Sequence, residues 1–421
     1  MVKWNTYARD KAMKEFFKVT DLEQVLELVA EFPQSRTELL PLDQVFGRTL
    51  AEDITAPHDL PEFSRATMDG FAVPASSTFG ASESSPAFLA VTHTVGMGEA
   101  PTVTIGPAEA CRISTGGMLP EGSDSVVMIE HTETLDETTI EIYRSVAPGQ
   151  HVLEKGEDFR KNEIILRKGQ ILRSQEAGLL AAFGTQTLPV YTRPIVGILS
   201  TGDEVVPIEK NPLPGQIRDI NSYTLAGQVA AAGGIPVAHG IVPDDRNALY
   251  EHCIRALDCS DMLLISGGSS VGTRDYTIEI LSEIPGSNIL VHGISIRPGK
   301  PTILARVQNK AVWGLPGHVT SAMVVFDVVV RPFLEHLAGR LPGTSRRLKI
   351  PARLNRNIPS AQGRTDFIRV RLIHKDDRVW AEPVLGKSGL INTMVKADGL
   401  IEIDRNTEGL DEGTLVDVFP V

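Results

Sequence analysis

The sequence predicts a multidomain α/β-plus-β protein built around a three-layer α/β domain with a mostly parallel sheet. Three observations lead there. Two apolar runs, Ile195-Val196-Gly197-Ile198-Leu199 and Met262-Leu263-Leu264-Ile265, each pass into a polar, glycine-bearing loop. These loops are Ser200-Thr201-Gly202-Asp203-Glu204 and Ser266-Gly267-Gly268-Ser269-Ser270-Val271-Gly272. Between the runs lie two helical segments and a third strand, the alternation of βαβ units. On either side the texture changes to short strands punctuated by glycine and proline. Ligands of parallel sheets bind outside the carboxyl ends of the strands, where both loops lie.

Composition narrows the function class. A chain of 421 residues has room for roughly two to four domains. A hydrophobic share of 42% against 22% charged residues marks it as globular rather than disordered. The formal net charge of −12 disfavours broad nucleic-acid or anionic-membrane binding, so an anionic ligand needs a local basic pocket or a bridging cation. Three cysteines, Cys111, Cys253 and Cys259, form no C-x-x-C pair and fit a reducing cytoplasm as small buried hydrophobes. No two histidines lie within four residues, so helical zinc motifs are absent. Lys3, Arg9, Asp10 and Lys11 interrupt any signal-peptide pattern, and the apolar run Ala322 to Val330 is too short to span a bilayer.

In chain order, Thr20-Asp21-Leu22-Glu23 reads as a capping box opening a helix whose apolar face is Leu22, Val25, Leu26 and Val29, ended by Pro33. A second helical stretch is expected over Leu42 to Leu50. Residues 56–146 form a β domain with strands near Phe88 to Thr92, Cys111 to Ser114, Val126 to Ile129 and Ile140 to Tyr143. Residues 147–190 lack a core of their own, although a helix is expected from Ser174 to Phe183. They are therefore expected to pack with residues 1–55 as one discontinuous domain. The α/β domain covers 191–338, with helices at Ser222 to Ala232, Asp244 to Leu257 and Val319 to Leu337, the last kinked by Pro332. Residues 339–421 alternate apolar and polar positions, as in Phe367-Ile368-Arg369-Val370-Arg371-Leu372, and form a β barrel or sandwich.

Several motifs carry chemistry, each with a plainer reading beside it. Asp203, Glu204, Asp219 and Asp275 follow strand ends. Together they would suit a hard cation such as magnesium holding substrate phosphates, although Asp also favours helix caps and turns. Gly267 to Gly272 could form a nest of backbone N–H groups for an anion, or an ordinary βα turn. Arg297-Pro298-Gly299-Lys300-Pro301 sets two cations in a stiffened loop, suited to a dianion or simply solvated. Gly386-Lys387-Ser388 imitates a P-loop ending, but Ala381 occupies the place of the first glycine. Thr67-Met68-Asp69-Gly70 and Ser114-Thr115-Gly116-Gly117 could both be turns.

Taken together, these stretches resemble the molybdopterin molybdenumtransferase family, molybdenum-cofactor insertases related to the E domain of gephyrin. The resemblance runs from about residue 20 to 421. Leu60 to Val73, Ser200 to Glu204, Ser266 to Gly272 with Asp275, Arg297 to Pro301, Gly314-Leu315-Pro316-Gly317 and Ala397-Asp398-Gly399-Leu400 carry it. It implies an elongated homodimer of four-domain chains that inserts molybdate into adenylylated molybdopterin and releases AMP, with magnesium. Asp203, Glu204 and Asp275 would serve the reaction, with Glu204, Asp219 and Asp275 as magnesium ligands. Gly267, Gly268, Ser269, Ser270 and Gly272 would meet the phosphates. Arg297, Lys300, Arg364 and Ser388 would form the oxyanion pocket. Asp69, with a catalytic role, and Thr115 would face the α/β domain of the partner subunit.

The chain departs from the family pattern at Ser269, usually a small apolar residue, at Arg297, usually Lys, and at His318-Val319, usually Asn-Pro. Molybdopterin adenylyltransferase and cofactor-accepting enzymes are possible partners. The competing readings are a non-catalytic molybdopterin carrier or scaffold, and molybdopterin adenylyltransferase itself.

Overall fold

A computed structural model describes residues 19–267, 276–341 and 348–421. The chain forms two compact units, one running to Glu52 and comprising also Lys168–Ser174 and Thr187–Val421, the other Asp53–Arg167 with Gln175–Gln186.

The first unit holds a six-stranded sheet in the order Ile235–Val242, Ile195–Thr201, Met262–Ser266, Lys310–Leu315, Ile303–Val307, Ser287–His292. The first four strands are parallel, and Ile303–Val307 runs antiparallel to both its neighbours. Five strands therefore share one direction, as the βαβ pattern predicts. Side chains alternate between the faces. Val196, Ile198, Met262 and Leu264 pack with Leu225 and Val229 of the Asn221–Ala231 helix and with Phe333 and Leu334. Leu199, Leu263 and Ile265 pack with Leu249, Cys253 and Leu257 of the Arg246–Asp258 helix. Burial on both faces explains why these strands read as unbroken apolar runs. Asp245 caps the second helix by accepting the Ala248 N–H at 2.8 Å.

The last helix departs from its simple expectation. It is a helix over Val319–Val325, a π turn over Phe326–Val330 and a helix over Arg331–Leu337. Pro332 has no N–H to give and its ring crowds the carbonyl four residues back, so the widened turn sits just before it.

Two N-terminal expectations are corrected. The helix Leu22–Glu27 forms, but no side chain caps it. The Thr20 backbone is instead bonded to Gly293 and Ser295, and the Asp21 carboxylate accepts the Ser295 hydroxyl and pairs with Arg405. The Leu42 to Leu50 stretch is not a helix beyond the single 3₁₀ turn Leu42–Gln44. It comes after a strand, Thr37–Pro41, that pairs antiparallel with Thr187–Tyr191. Gly47, at φ +73°, interrupts any helical continuation of that turn.

The C-terminal strands close on themselves. Thr365–Lys375, Arg378–Pro383, Ile350–Leu354, Leu415–Pro420 and Gly399–Ile403 pair in that order, and the last returns to the first. Closure makes this a barrel and leaves no free edge among these five strands. Ile368, Val370 and Leu372 point into its core, beside Leu354, Ala381 and Ile401. Phe367 and Arg369 point outward, yet both are buried, and Phe367 joins the core of the α/β domain. The outer face of this strand is therefore where barrel and α/β domain meet.

The second unit is built on a six-stranded sheet in the order Ser125–Met128, Gly70–Val73, Glu109–Ile113, Ala87–Val95, Thr139–Ile142, Thr132–Thr134. Phe71, Val73, Leu89, Val127, Ile140 and Ile142 fill its core. All four strands expected over this stretch are present within a few residues.

Candidate functional site

At the carboxyl edge of the parallel strands the two polar loops touch. A Cβ built at Gly267 would lie 2.2 Å from the Thr201 carbonyl oxygen, and the residue has φ +109°, so only glycine fits. Asn221, the first residue of its helix, donates its side-chain amide to Ser266 Oγ at 2.5 Å and to the Gly317 carbonyl at 2.9 Å. One side chain thus ties three segments of the edge together.

The carboxylates of this edge are partly occupied. Asp203 accepts the Asp244 N–H at 3.0 Å, while Asp244 accepts the Thr201 hydroxyl at 2.8 Å. Buried Asp219 accepts the Ser200 hydroxyl at 3.0 Å and the Ser222 N–H at 3.1 Å, holding the first turn of the Asn221–Ala231 helix. Asp219 thus braces the start of this helix from the residue before its N-cap, with one oxygen committed. Glu204 is exposed, and its backbone carbonyl accepts the Ile217 N–H at 2.8 Å. Asp203, Glu204 and Asp219 stand on one edge, Asp219 following a short ladder, Val205–Val206 with Ile217–Arg218.

Gly268, Ser269, Ser270, Gly272 and Asp275 lie outside the described residues. Among the described residues no three acidic, histidine or cysteine side chains gather as a metal site. Glu204 and Asp219 still fit magnesium in kind, because that ion characteristically takes one or two protein carboxylates and completes its shell with water and phosphate.

A cationic cluster lies where the barrel meets the α/β domain. Ile296–Arg297 pairs in parallel with Thr365 and Asp366, Arg297 standing opposite Asp366. The Asp366 carboxylate is fully buried; it accepts the Arg364 Nε–H at 2.8 Å and stands 3.6 Å from Arg297 Nη1. Arg369 donates to the Gly386 carbonyl at 3.0 Å, and burial, then the neighbouring Arg297 charge, lowers its pKa. Lys300 is exposed on the same loop as Arg297, and its carbonyl accepts the N–H groups of Ile294 and Thr302. Gly299 lies against the Val319–Val325 helix, since a Cβ there would meet Val325 at 2.3 Å. The loop is therefore held, not merely solvated. Ser388 Oγ is 2.9 Å from His318 Nδ1, and its carbonyl accepts the Thr320 N–H at 3.1 Å.

In the other unit, Asp69 and Thr115 come together. Asp69 Oδ1 accepts the Thr115 N–H at 2.6 Å and its hydroxyl at 3.0 Å, and these bonds hold the carboxyl below its ordinary pKa.

Sequence reasoning missed Asp366, Asn221 and the His318–Ser388 contact. Asp366 carried a signal, since Arg364 lies two residues before it at the start of a strand, a spacing that brings side chains to the same side. Asn221 and His318 carried none, because their partners are distant in the chain.

Comparison with known proteins identifies the family. Three family profiles match: MoeA N-terminal region (domain I and II) over residues 19–184, "Probable molybdopterin binding domain" over 197–336, and MoeA C-terminal region (domain IV) over 351–421. A molybdopterin molybdenumtransferase of Bacillus subtilis is 32% identical, covering 94% of this chain and 93% of its own. Another, from Haemophilus influenzae, is 31% identical over 92% and 95%. A crystal structure of the molybdopterin biosynthesis MoeA protein from Pyrococcus horikoshii superposes with a TM-score of 0.79 at 38% identity, covering 96% of this chain and 99% of that one. The chain belongs to the molybdopterin molybdenumtransferase family of enzymes.

Proposed function

We propose that this enzyme of molybdenum cofactor biosynthesis inserts molybdate into adenylylated molybdopterin and releases AMP, using magnesium. The observation that carries this reading is the pairing of two differently charged places in one unit. An acidic, glycine-bearing strand edge holds Asp203, Glu204 and Asp219, and a cationic cluster holds Arg297, Arg364 and Lys300. An anionic nucleotide and an oxyanion call for such a division.

In this mechanism the loop after Ser266 receives the phosphates, with Asn221 fixing its start against Gly317. Glu204 and Asp219 would hold magnesium, which would supply charge compensation to the pyrophosphate; Asp275, the third ligand that the resemblance implies, lies outside the described residues. Arg297, Lys300, Arg364 and the Ser388 hydroxyl orient molybdate by charge-assisted and neutral hydrogen bonds. Positioning does most of the work. Arg297 in place of Lys offers a planar fork rather than a point charge.

The reading extends to a cytoplasmic homodimer in which Asp69 and Thr115 serve the partner subunit's site, with molybdopterin adenylyltransferase and cofactor-accepting enzymes as transient partners. The net charge of −12 supports the absence of a nucleic-acid partner, and no helix among the described residues is long and apolar enough to cross a membrane.

The test is incubation with adenylylated molybdopterin, magnesium and either molybdate or tungstate, following AMP and finished cofactor. Oxyanion-dependent AMP release with cofactor formation is expected. Tight nucleotide binding without AMP release would instead identify a carrier. Adenylylation of molybdopterin by ATP would identify an adenylyltransferase.

A further inference from the structure

Asp366 is an unusual neighbour for an anion-binding cluster. Its side chain is 0% exposed, whereas those of Arg364 and Arg297 are 36% and 62% exposed. The carboxylate therefore lies beneath the two guanidinium groups, on the protein side. A buried carboxylate is costly unless it is paired, so these contacts are a condition of its burial. Its backbone is fixed as well, because Thr365 donates its N–H to the Ser295 carbonyl at 2.9 Å and Asp366 pairs with Arg297.

The atom used on each arginine matters. Arg364 meets Asp366 through Nε, which leaves its two terminal amino groups as an end-on fork. Arg297 Nη1 stands 3.6 Å from the other oxygen, Oδ2, close enough for an ion pair but without a hydrogen bond. One carboxylate thus sets the orientation of one guanidinium and gathers the second beside it. We propose that Asp366 is a positioning residue for the oxyanion, holding Arg364 and Arg297 as one preorganised donor pair. This rests on the reading that these two arginines receive molybdate. Without the carboxylate the two like charges repel and each side chain regains its rotamers, so the pair must be ordered anew on binding.

The experiment is a molybdate titration of AMP release by the parent, D366N, R364A, the double variant D366N/R364A, and R364K. Adenylylated molybdopterin binding is measured beside it by calorimetry, and folding by thermal unfolding. D366N is expected to raise the molybdate midpoint roughly tenfold, the scale of one charge-assisted bond. Nucleotide affinity should hold, and in the R364A background the same change should add little. R364K keeps a charge but lacks the fork, and should shift the midpoint as D366N does; it also serves if D366N fails to fold. A D366N midpoint equal to the parent's, a full repeat of its effect in R364A, a parallel loss of nucleotide affinity, or a parent-like R364K would each overturn the proposal. If the parent itself releases no AMP in response to molybdate, the functional reading falls and takes this proposal with it. If the parent responds and only the variants behave otherwise, this proposal alone fails.

Discussion

Asp69 closes on Thr115 with a single oxygen, Oδ1, which takes both the backbone N–H and the hydroxyl of a residue 46 positions downstream. Both bonds favour the ionised carboxylate, so its pKa lies below the ordinary 3.8. The contribution to stability is therefore fully present above the unfolded value and is lost as pH falls through the folded one. An NMR titration of the Thr115 amide should report a midpoint below 3.8; a midpoint at or above that value would contradict the assignment.

Gly267 gives a prediction about the strand edge. Gly267→Ala drives a Cβ into the Thr201 carbonyl at 2.2 Å, and also imposes strain at φ +109°. Gly215→Ala is the control, since Gly215 has φ +92° but nothing within 4 Å. Strain alone costs about 1–3 kcal/mol, and the clash should make G267A clearly the less stable of the two. Equal melting temperatures for the two variants would refute the close approach of the loops.

His239 and His292 make the fold sensitive to mild acid. Burial lowers the pKa of both below the ordinary 6.5, with His252 adding to the effect at His239. Above that value both states are neutral and nothing is lost. As pH drops below it the unfolded chain takes up protons first, so stability declines until the folded values are passed. Urea unfolding should give a lower midpoint at pH 5.5 than at pH 7.5, by roughly the linkage of two partly buried imidazoles. His239→Gln should flatten that dependence, and an unchanged slope would remove His239 from the account.

Lys300→Ala tests the oxyanion side directly. Gly299 against Val325 and the flanking prolines hold this loop, so little order is lost when the ammonium meets a dianion. A charge-assisted contact contributes about 1.5–3 kcal/mol, so the molybdate requirement should rise roughly ten- to hundredfold. Nucleotide binding, anchored elsewhere, should survive. Collapse of nucleotide affinity with an unmoved molybdate midpoint would assign Lys300 to the phosphates instead.

The sequence made the parallel sheet legible because both its faces are buried. Met262 to Ile265 must then be apolar throughout. The carboxylate edge was legible for the same reason: strand ends are visible, and Asp203 and Glu204 follow one. Arg369 shows the limit. Alternation places it on the outer face of a barrel strand, which is correct, but not that this face is covered by the α/β domain. Arg297 and Asp366 are 69 residues apart, and nothing local announces their ladder. Leu42 to Leu50 misled because a helical period competed with strand pairing by the preceding residues, and the pairing won. Thr20 misled because its backbone was needed elsewhere.

The ladder joining Ile296–Arg297 to Thr365 and Asp366 has only two rungs, and those rungs fix a reading frame. Neighbours along a strand point to opposite sides. A slip of one residue would put Thr365 or Phe367 opposite Arg297 and turn Asp366 away from it. Inserting or deleting one residue beside Thr365 would therefore exchange a cation's counter-ion for a hydroxyl or a phenyl ring, while charge and composition stayed almost as they were. The chemistry of the cluster is written in phase as much as in residue type.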